Sequence, residues 1–187
     1  MPDFYCKDES GMSWMQTYSG IRFFPEDPRP HMICMDDIAH ALSLSCRYNG
    51  QCRRFYSVAE HSVLVSTMVP PELALPALLH DAAEAYVGDI VRGVKHLVQG
   101  FAEIEDKILS VILLKYGCCP VLDPAIKQAD EAVLYWEKQV LMPGHYNWGL
   151  REPLEKVNIE CWNPEDAKRV FLGRFRELVR EGFLEAA

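Results

Sequence analysis

His61, the adjacent pair His80-Asp81 and Asp130 are four metal-capable side chains carried on three separate stretches of the chain. Two imidazoles and two carboxylates around one divalent cation leave coordination positions open, which is what metal-assisted hydrolysis requires. A mixed nitrogen and oxygen set suits Mn, Co, Fe or Mg and tolerates Zn. Glu84 follows His80 by four residues and has no ligand partner of its own nearby, so it is the candidate acid/base group. If Leu78-Leu79-His80-Asp81-Ala82-Ala83-Glu84 is helical, about 100° per residue puts Glu84 about 40° from His80 and about 60° from Asp81. The three then share one face. On a helix otherwise built of Leu and Ala, burying that face costs on the order of several kcal/mol unless something pairs it, and a metal is the simplest partner.

The elements that must position these residues read as helices. Asp36-Asp37 precede an apolar-periodic stretch (Ile38, Ala39, Ala41, Leu42) that ends before the turn signal Asn49-Gly50. Ser57-Val58-Ala59-Glu60 is a capping box for a helix that carries His61 and runs to about Met68, before Pro70-Pro71. Pro71 to Tyr86 reads as one buried helix with Gly88 as its stop. Phe101 to Tyr116 places Ile104, Ile108, Val111 and Ile112 on one stripe. Asp123-Pro124 opens a long helix towards Leu141, and Asn163-Pro164-Glu165 opens the last one. The first 35 residues, interrupted by Pro25, Pro28 and Pro30, read as irregular, with a short strand pair within Thr17–Phe24. Gly144 to Asn163 reads as a long, partly ordered connection. The expected class is therefore all-α, a single compact helical domain over residues 1–187 with a short N-terminal β-hairpin.

A chain of 187 residues that is 49% hydrophobic can bury a sizeable core. Its longest apolar runs, such as Ile108 to Leu114, fall far short of the roughly 20 residues that a membrane span needs. The N-terminal text lacks a charged-then-apolar signal pattern, which points to the cytoplasm. Seven cysteines without a Cys-x-x-Cys pair read as reduced thiols, mostly buried. The net charge of −8 disfavours nucleic-acid polymers and anionic membranes. A phosphorylated small substrate stays compatible. A divalent ion about 4 Å from a phosphate oxygen is worth roughly 8 kcal/mol at an effective dielectric near 20, whereas surface charge is screened beyond about 8–10 Å.

The order His61, His80-Asp81, Asp130 resembles the signature of the HD-domain metal-dependent phosphohydrolases. The match is most similar to the small 5'-deoxynucleotidases and the viral dATP triphosphohydrolases, in Glu60-His61-Ser62, His80-Asp81-Ala82-Ala83-Glu84 with Gly88-Asp89, Val94-Lys95 and Lys127-Gln128-Ala129-Asp130. It covers about Asp36 to Tyr135. The resemblance implies that His61, His80, Asp81 and Asp130 bind the metal and that Glu84 assists the attacking water or the leaving oxygen. It also implies that Arg47 and Lys95 contact phosphate, that Tyr48 contacts the nucleoside and that Asp89 bonds the sugar 3'-hydroxyl. Relatives usually carry Trp where Tyr48 stands. The implied partner is a small deoxynucleotide, and the implied assembly is a homo-oligomer. A second ion could enter with a polyphosphate, helped by Glu84.

The expected activity is divalent-metal-dependent hydrolysis of 2'-deoxynucleoside phosphates, favoured as a dNTP (dATP) triphosphohydrolase that releases deoxynucleoside and triphosphate. The alternatives are a 5'-deoxynucleotidase acting on dNMPs, an enzyme for alarmones or cyclic nucleotides, and a non-catalytic nucleotide-sensing module. His40 reads as a surface or core residue, Glu60 as a helix cap, and Trp136, Trp148 and Trp162 as packing residues. Arg53 and Arg54 read equally well as a phosphate patch or a solvated turn.

Overall fold

The helical text folds as expected. The computed structural model describes residues 7–185, with side chains to residue 180, and is helical apart from one short hairpin. The described helices are α1 (Met35–Leu44), α2 (Val58–Thr67), α3 (Ala74–Leu78), α4 (Glu84–Val87), α5 (Arg92–Lys95), α6 (Phe101–Lys115), α7 (Pro124–Leu141) and α8 (Pro164–Glu185). The strand pair is β1 (Met15–Gln16) antiparallel to β2 (Arg22–Phe23), beginning two residues before the expected segment. Asp37, buried in the first turn of α1, accepts from Ser19 N at 2.7 Å and Ser19 Oγ at 2.8 Å. The hairpin turn is thus held on the positive end of a helix. Among the described residues no helix is long and apolar enough to cross a membrane.

Helix α2 sits at the centre, packed against α1, α3, α7 and α8. Its residues are buried nearly all round, from Val58 to Val63 and again at Val65 and Ser66, as expected of a helix with no consistently polar face. The larger core joins Ile38 and Leu42 of α1, Val58 and Val63 of α2, Ile108 and Ile112 of α6, and Phe171 and Leu178 of α8. A smaller one joins Val65 and Ala77 to Ile126, Ala129 and Val133 of α7. Two caps follow the sequence: Asp123 accepts from Ala125 N at 2.8 Å with Pro124 first in α7, and Asn163 accepts from Asp166 N at 2.9 Å before α8.

Three expectations need correcting. Pro71 to Tyr86 is not one helix: a single turn at Pro71–Leu73 leads into α3, and tight turns over 79–83 separate it from α4. The backbone there bonds three residues back rather than four, as in His80 N to Ala77 O and Ala82 N to Leu79 O. His80 Nδ1 also reaches Ala77 O, at 2.8 Å, and so competes for the carbonyls that a regular helix uses. Gly88 does end the segment, with φ of 82°, a conformation glycine adopts without strain. Second, none of the six described cysteines is fully buried, because each lies at a helix boundary or in a loop; Cys6 lies outside the described residues. Third, Ser57 does cap α2, accepting from Glu60 N at 3.1 Å, but the Glu60 side chain does not return to Ser57. It turns away to accept from the backbone N–H groups of Glu160, Cys161 and Trp162 at 2.8, 2.9 and 2.7 Å. A buried carboxylate thereby anchors the connection between α7 and α8, which has no helix or strand from residue 142 to 163.

Candidate metal centre and adjoining cleft

Helix α2 contributes His61, the tightened turn after α3 contributes His80 and Asp81, and α7 contributes Asp130. The side chains converge. His61 Nε2 lies 3.3 Å from His80 Nε2, 3.1 Å from Asp130 Oδ1 and 3.5 Å from Asp81 Oδ2, and His80 Nε2 lies 3.2 Å from Asp81 Oδ2. Ligand atoms of His61, His80 and Asp130 all fall within 4.8 Å of one another, with Asp81 beside them. Bonds of about 2.0–2.1 Å to a shared ion put neighbouring ligand atoms about 3.0 Å apart in octahedral and about 3.3 Å apart in tetrahedral geometry. The observed edges, 3.1 to 3.5 Å, lie at or slightly above those values. One Nε2–H could serve only one of the three acceptors facing His61, whereas a cation serves all of them. The donor set therefore fits a divalent ion.

The outer contacts orient the same lone pairs. His61 Nδ1 is 2.6 Å from Glu137 Oε1, and His80 Nδ1 bonds Ala77 O, which leaves both Nε2 atoms facing inward. Burial and Arg47 both oppose the charged form of His61, yet Glu137 and Asp130 outweigh them and push the ring up to about 9. Burial would raise Asp81, but His80, His61 and Arg47 pull it below the usual carboxylate range. Burial likewise opposes the drop in Asp130, which His61 more than supplies.

A cleft of about 480 Å³ opens beside the centre. Arg47, Tyr48, Asp81, Glu84, Asp89, Lys95 and Asp130 line it, so seven of the nine residues singled out in the sequence meet there; His61 and His80 lie behind its wall. Glu84 Oε2 is buried and has no hydrogen-bond partner. Its acid strength is set by burial first, then by Asp81 and Asp89, all of which raise it well above the usual range. A protonated carboxyl beside a cleft is a ready proton donor. Asp89 is raised as well, chiefly by burial. A second cleft of about 490 Å³ adjoins the same centre, lined by His80, Glu105, Asp106 and Lys127 and sharing Asp81, Glu84, Lys95 and Asp130 with the first.

Several of these residues also meet partners that the sequence did not announce. Arg47 is not free: it lies 3.5 Å from Asp81 and 3.1 Å from Glu137. Tyr48 aims its hydroxyl at Glu137, while its ring faces Trp148 at 6.1 Å. Lys95 is ion-paired with Glu105. Trp148, read as a packing residue, lines the cleft instead, whereas Trp136 and Trp162 pack against the cores. His40 stacks on Tyr18 at 3.7 Å, away from the site, and Arg54 bonds Glu160 O. Glu137 escaped the sequence reading although a signal existed. The buried stripe of α7 runs Ile126, Ala129, Val133, Glu137, Leu141, so a carboxylate occupies a core position. It stands seven residues after Asp130, about 20° away on the same face.

No family model matches the chain. It is 39% identical over 171 residues to the uncharacterized protein YfdR of Escherichia coli (strain K12), a match spanning 89% of this chain and 96% of that protein. It is 38% identical over 130 residues to an uncharacterized protein of Rhodobacter capsulatus, spanning 64% of this chain and 66% of that protein. Coverage of nearly the whole of both chains at this identity shows common descent, and the protein belongs to the YfdR family.

Proposed function

We propose that this protein is an HD-type, divalent-metal-dependent hydrolase of 2'-deoxynucleoside phosphates. The observation that carries the reading is the convergence of His61, His80, Asp81 and Asp130 beside a buried, unpartnered Glu84 at the floor of a cleft of small-molecule size. When bound, a divalent ion polarises the phosphoryl oxygen and lowers the pKa of water. Residues of the chain supply the rest. Glu84 passes a proton between the attacking water and the leaving oxygen. Arg47, drawn from Asp81 by the incoming anion, takes up charge on the phosphate oxygens. Asp89 accepts from the sugar 3'-hydroxyl, and Tyr48 with Trp148 forms the aromatic side of the cleft.

The favoured substrate class is a dNTP, cleaved to deoxynucleoside and triphosphate, with a second ion entering on the polyphosphate. Cleavage of dNMPs is the second reading, and one observation favours it. The cleft cations are Arg47, Arg92 and Lys95, and all three already lie against carboxylates, Arg92 the most loosely, 3.8 Å from Asp130. A monophosphate needs fewer cations than a triphosphate. Incubating dNMPs, dNTPs and NTPs with Mn, Co, Mg or Zn, with product analysis, decides between them. Inorganic phosphate from dNMPs or triphosphate from dNTPs is expected. No turnover with any metal would remove the hydrolase reading and leave a nucleotide-binding module.

A further inference from the structure

Among the described residues Glu137 is the one fully buried carboxylate that touches both a candidate metal ligand, His61, and the cleft-lining pair Arg47 and Tyr48. Its Oε1 takes His61 Nδ1 at 2.6 Å. Its Oε2 accepts from Arg47 Nε at 3.3 Å, Arg47 Nη2 at 3.1 Å and the Tyr48 hydroxyl. Burial alone would raise this carboxyl, yet Arg47 and His61 hold it well below the usual range.

We infer that Glu137 is a positioning residue that sets the affinity for the ion and the shape of the phosphate-binding loop together. The inference rests on the metal reading above and goes beyond it. On the ion side, a carboxylate at Nδ1 fixes the His61 proton there, makes the ring a better donor and leaves the Nε2 lone pair facing His80, Asp81 and Asp130. On the substrate side, Tyr48 and Asn49 have φ of 59° and 52°, in the left-handed region. Non-glycine residues there cost about 1–3 kcal/mol each and keep that conformation only where their surroundings impose it. Arg47 and Tyr48, both anchored on Glu137 Oε2, are that restraint. Arg47 spans Glu137 and Asp81, so the side chain that meets the anion is held between the positioning carboxylate and a candidate metal ligand.

Glutamine cannot replace this group. Its amide has one acceptor oxygen and one NH2, and the NH2 must face either the His61 Nδ1–H or the donors of Arg47 and Tyr48. In E137Q one half of the site therefore meets donor against donor, and neither half keeps the negative charge. The test titrates Mn or Co alone into wild-type and E137Q protein against a chromophoric chelator, then inorganic phosphate into the ion-loaded forms. Folding of E137Q is checked by circular dichroism. Loss of an outer-shell partner lowers ion affinity about 10- to 100-fold, and that loss is expected here, with phosphate affinity falling by about tenfold or more. A folded E137Q whose ion affinity stays within about threefold of wild type overturns the inference, since outer-shell losses normally exceed that.

Should E137Q fail to fold, nitrogen NMR of the wild-type His61 ring decides. A proton on Nδ1 in the ion-loaded protein is expected, and a proton on Nε2 overturns the inference. A wild-type protein that takes up no ion sinks both this inference and the metal reading. Ion uptake without hydrolysis of any nucleotide sinks the hydrolase reading alone.

Discussion

At the scale of single residues, the proposed site separates binding from turnover. Glu84 Oε2 has no hydrogen-bond partner, and Glu84 meets a candidate ligand only through its backbone N–H, which bonds Asp81 O at 3.0 Å and survives substitution. Glu84→Ala should therefore keep ion and nucleotide affinity while kcat falls about 100-fold or more, the usual contribution of a general acid/base. Steady-state kinetics beside a binding titration checks this, and equal kcat would remove Glu84 from the chemistry. Asp89 belongs to selectivity instead. Asp89→Ala should lower kcat/KM for deoxyribonucleotides by about tenfold, the loss expected when one oriented hydrogen bond to a charged group goes. The ratio of deoxyribo- to ribonucleotide kcat/KM should fall as well, because a carboxylate closed on the 3'-hydroxyl crowds the neighbouring 2'-hydroxyl of ribose, and an unchanged ratio would remove Asp89 from sugar selection. His61 links the ion to stability. Its folded-state pKa of about 9 lies above the ordinary 6.5, so its contribution in metal-free protein is complete below pH 6.5 and disappears as pH rises towards 9. Denaturant midpoints of the metal-free form should decline across that window. The ion-loaded form should not show the decline, because there the ion occupies the place of the proton.

At the scale of elements, the periodic helices were readable because a repeating apolar stripe has one solution: α6 and α7 begin and end, and α8 begins, within about a residue of the bounds the sequence set. The stretch from Leu79 to Ala83 was not, since Leu and Ala favour helix and nothing local announces that the His80 ring will take a backbone carbonyl. The departure falls where the candidate ligands stand, and that is where local preference is expected to lose to function. The four candidate ligands and Glu84 were legible as residue types in order. The partners already held by Arg47 and Lys95 were not, because Glu137 and Glu105 meet them only through tertiary folding. Trp148 was misplaced for a related reason: its segment has no periodicity from which a facing side could be read. Glu60 holds that segment through three backbone N–H groups. Glu60→Ala should therefore destabilise the fold by about 1–3 kcal/mol, the cost of leaving buried donors unmet. It should also raise KM more than it lowers kcat, since the displaced connection carries Trp148. Urea unfolding with parallel kinetics tests both parts, and wild-type stability in the variant would remove the anchoring role.

At the scale of the whole molecule, the proposed ion binding would be linked to folding, because His61, His80 and Asp130 are brought together from α2, the turn after α3, and α7 only when the cores assemble. An ion present at 100 times its dissociation constant should add about 2.7 kcal/mol of stability. For a chain of this length that corresponds to roughly 5–11 °C in Tm, reversed by EDTA. A Tm indifferent to Mn, Co, Zn and EDTA alike would argue that no ion binds in this fold. The acidic exterior, with net charge −8, does not oppose a phosphorylated substrate in the same way, since the field near the reacting centre is set by the closest charges.

The centre is approached by two clefts that share Asp81, Glu84, Lys95 and Asp130, and only one of them has the aromatic wall. The path of a nucleotide and the path of a metal can therefore be different doors. A chelator should strip the ion by way of the second cleft, past Glu105 and Asp106, even while a non-hydrolysable deoxynucleotide plugs the first. Stripping rates that match with and without the plug would show that the second cleft reaches the centre by itself, and a site open only to the first would instead be sealed by its own ligand.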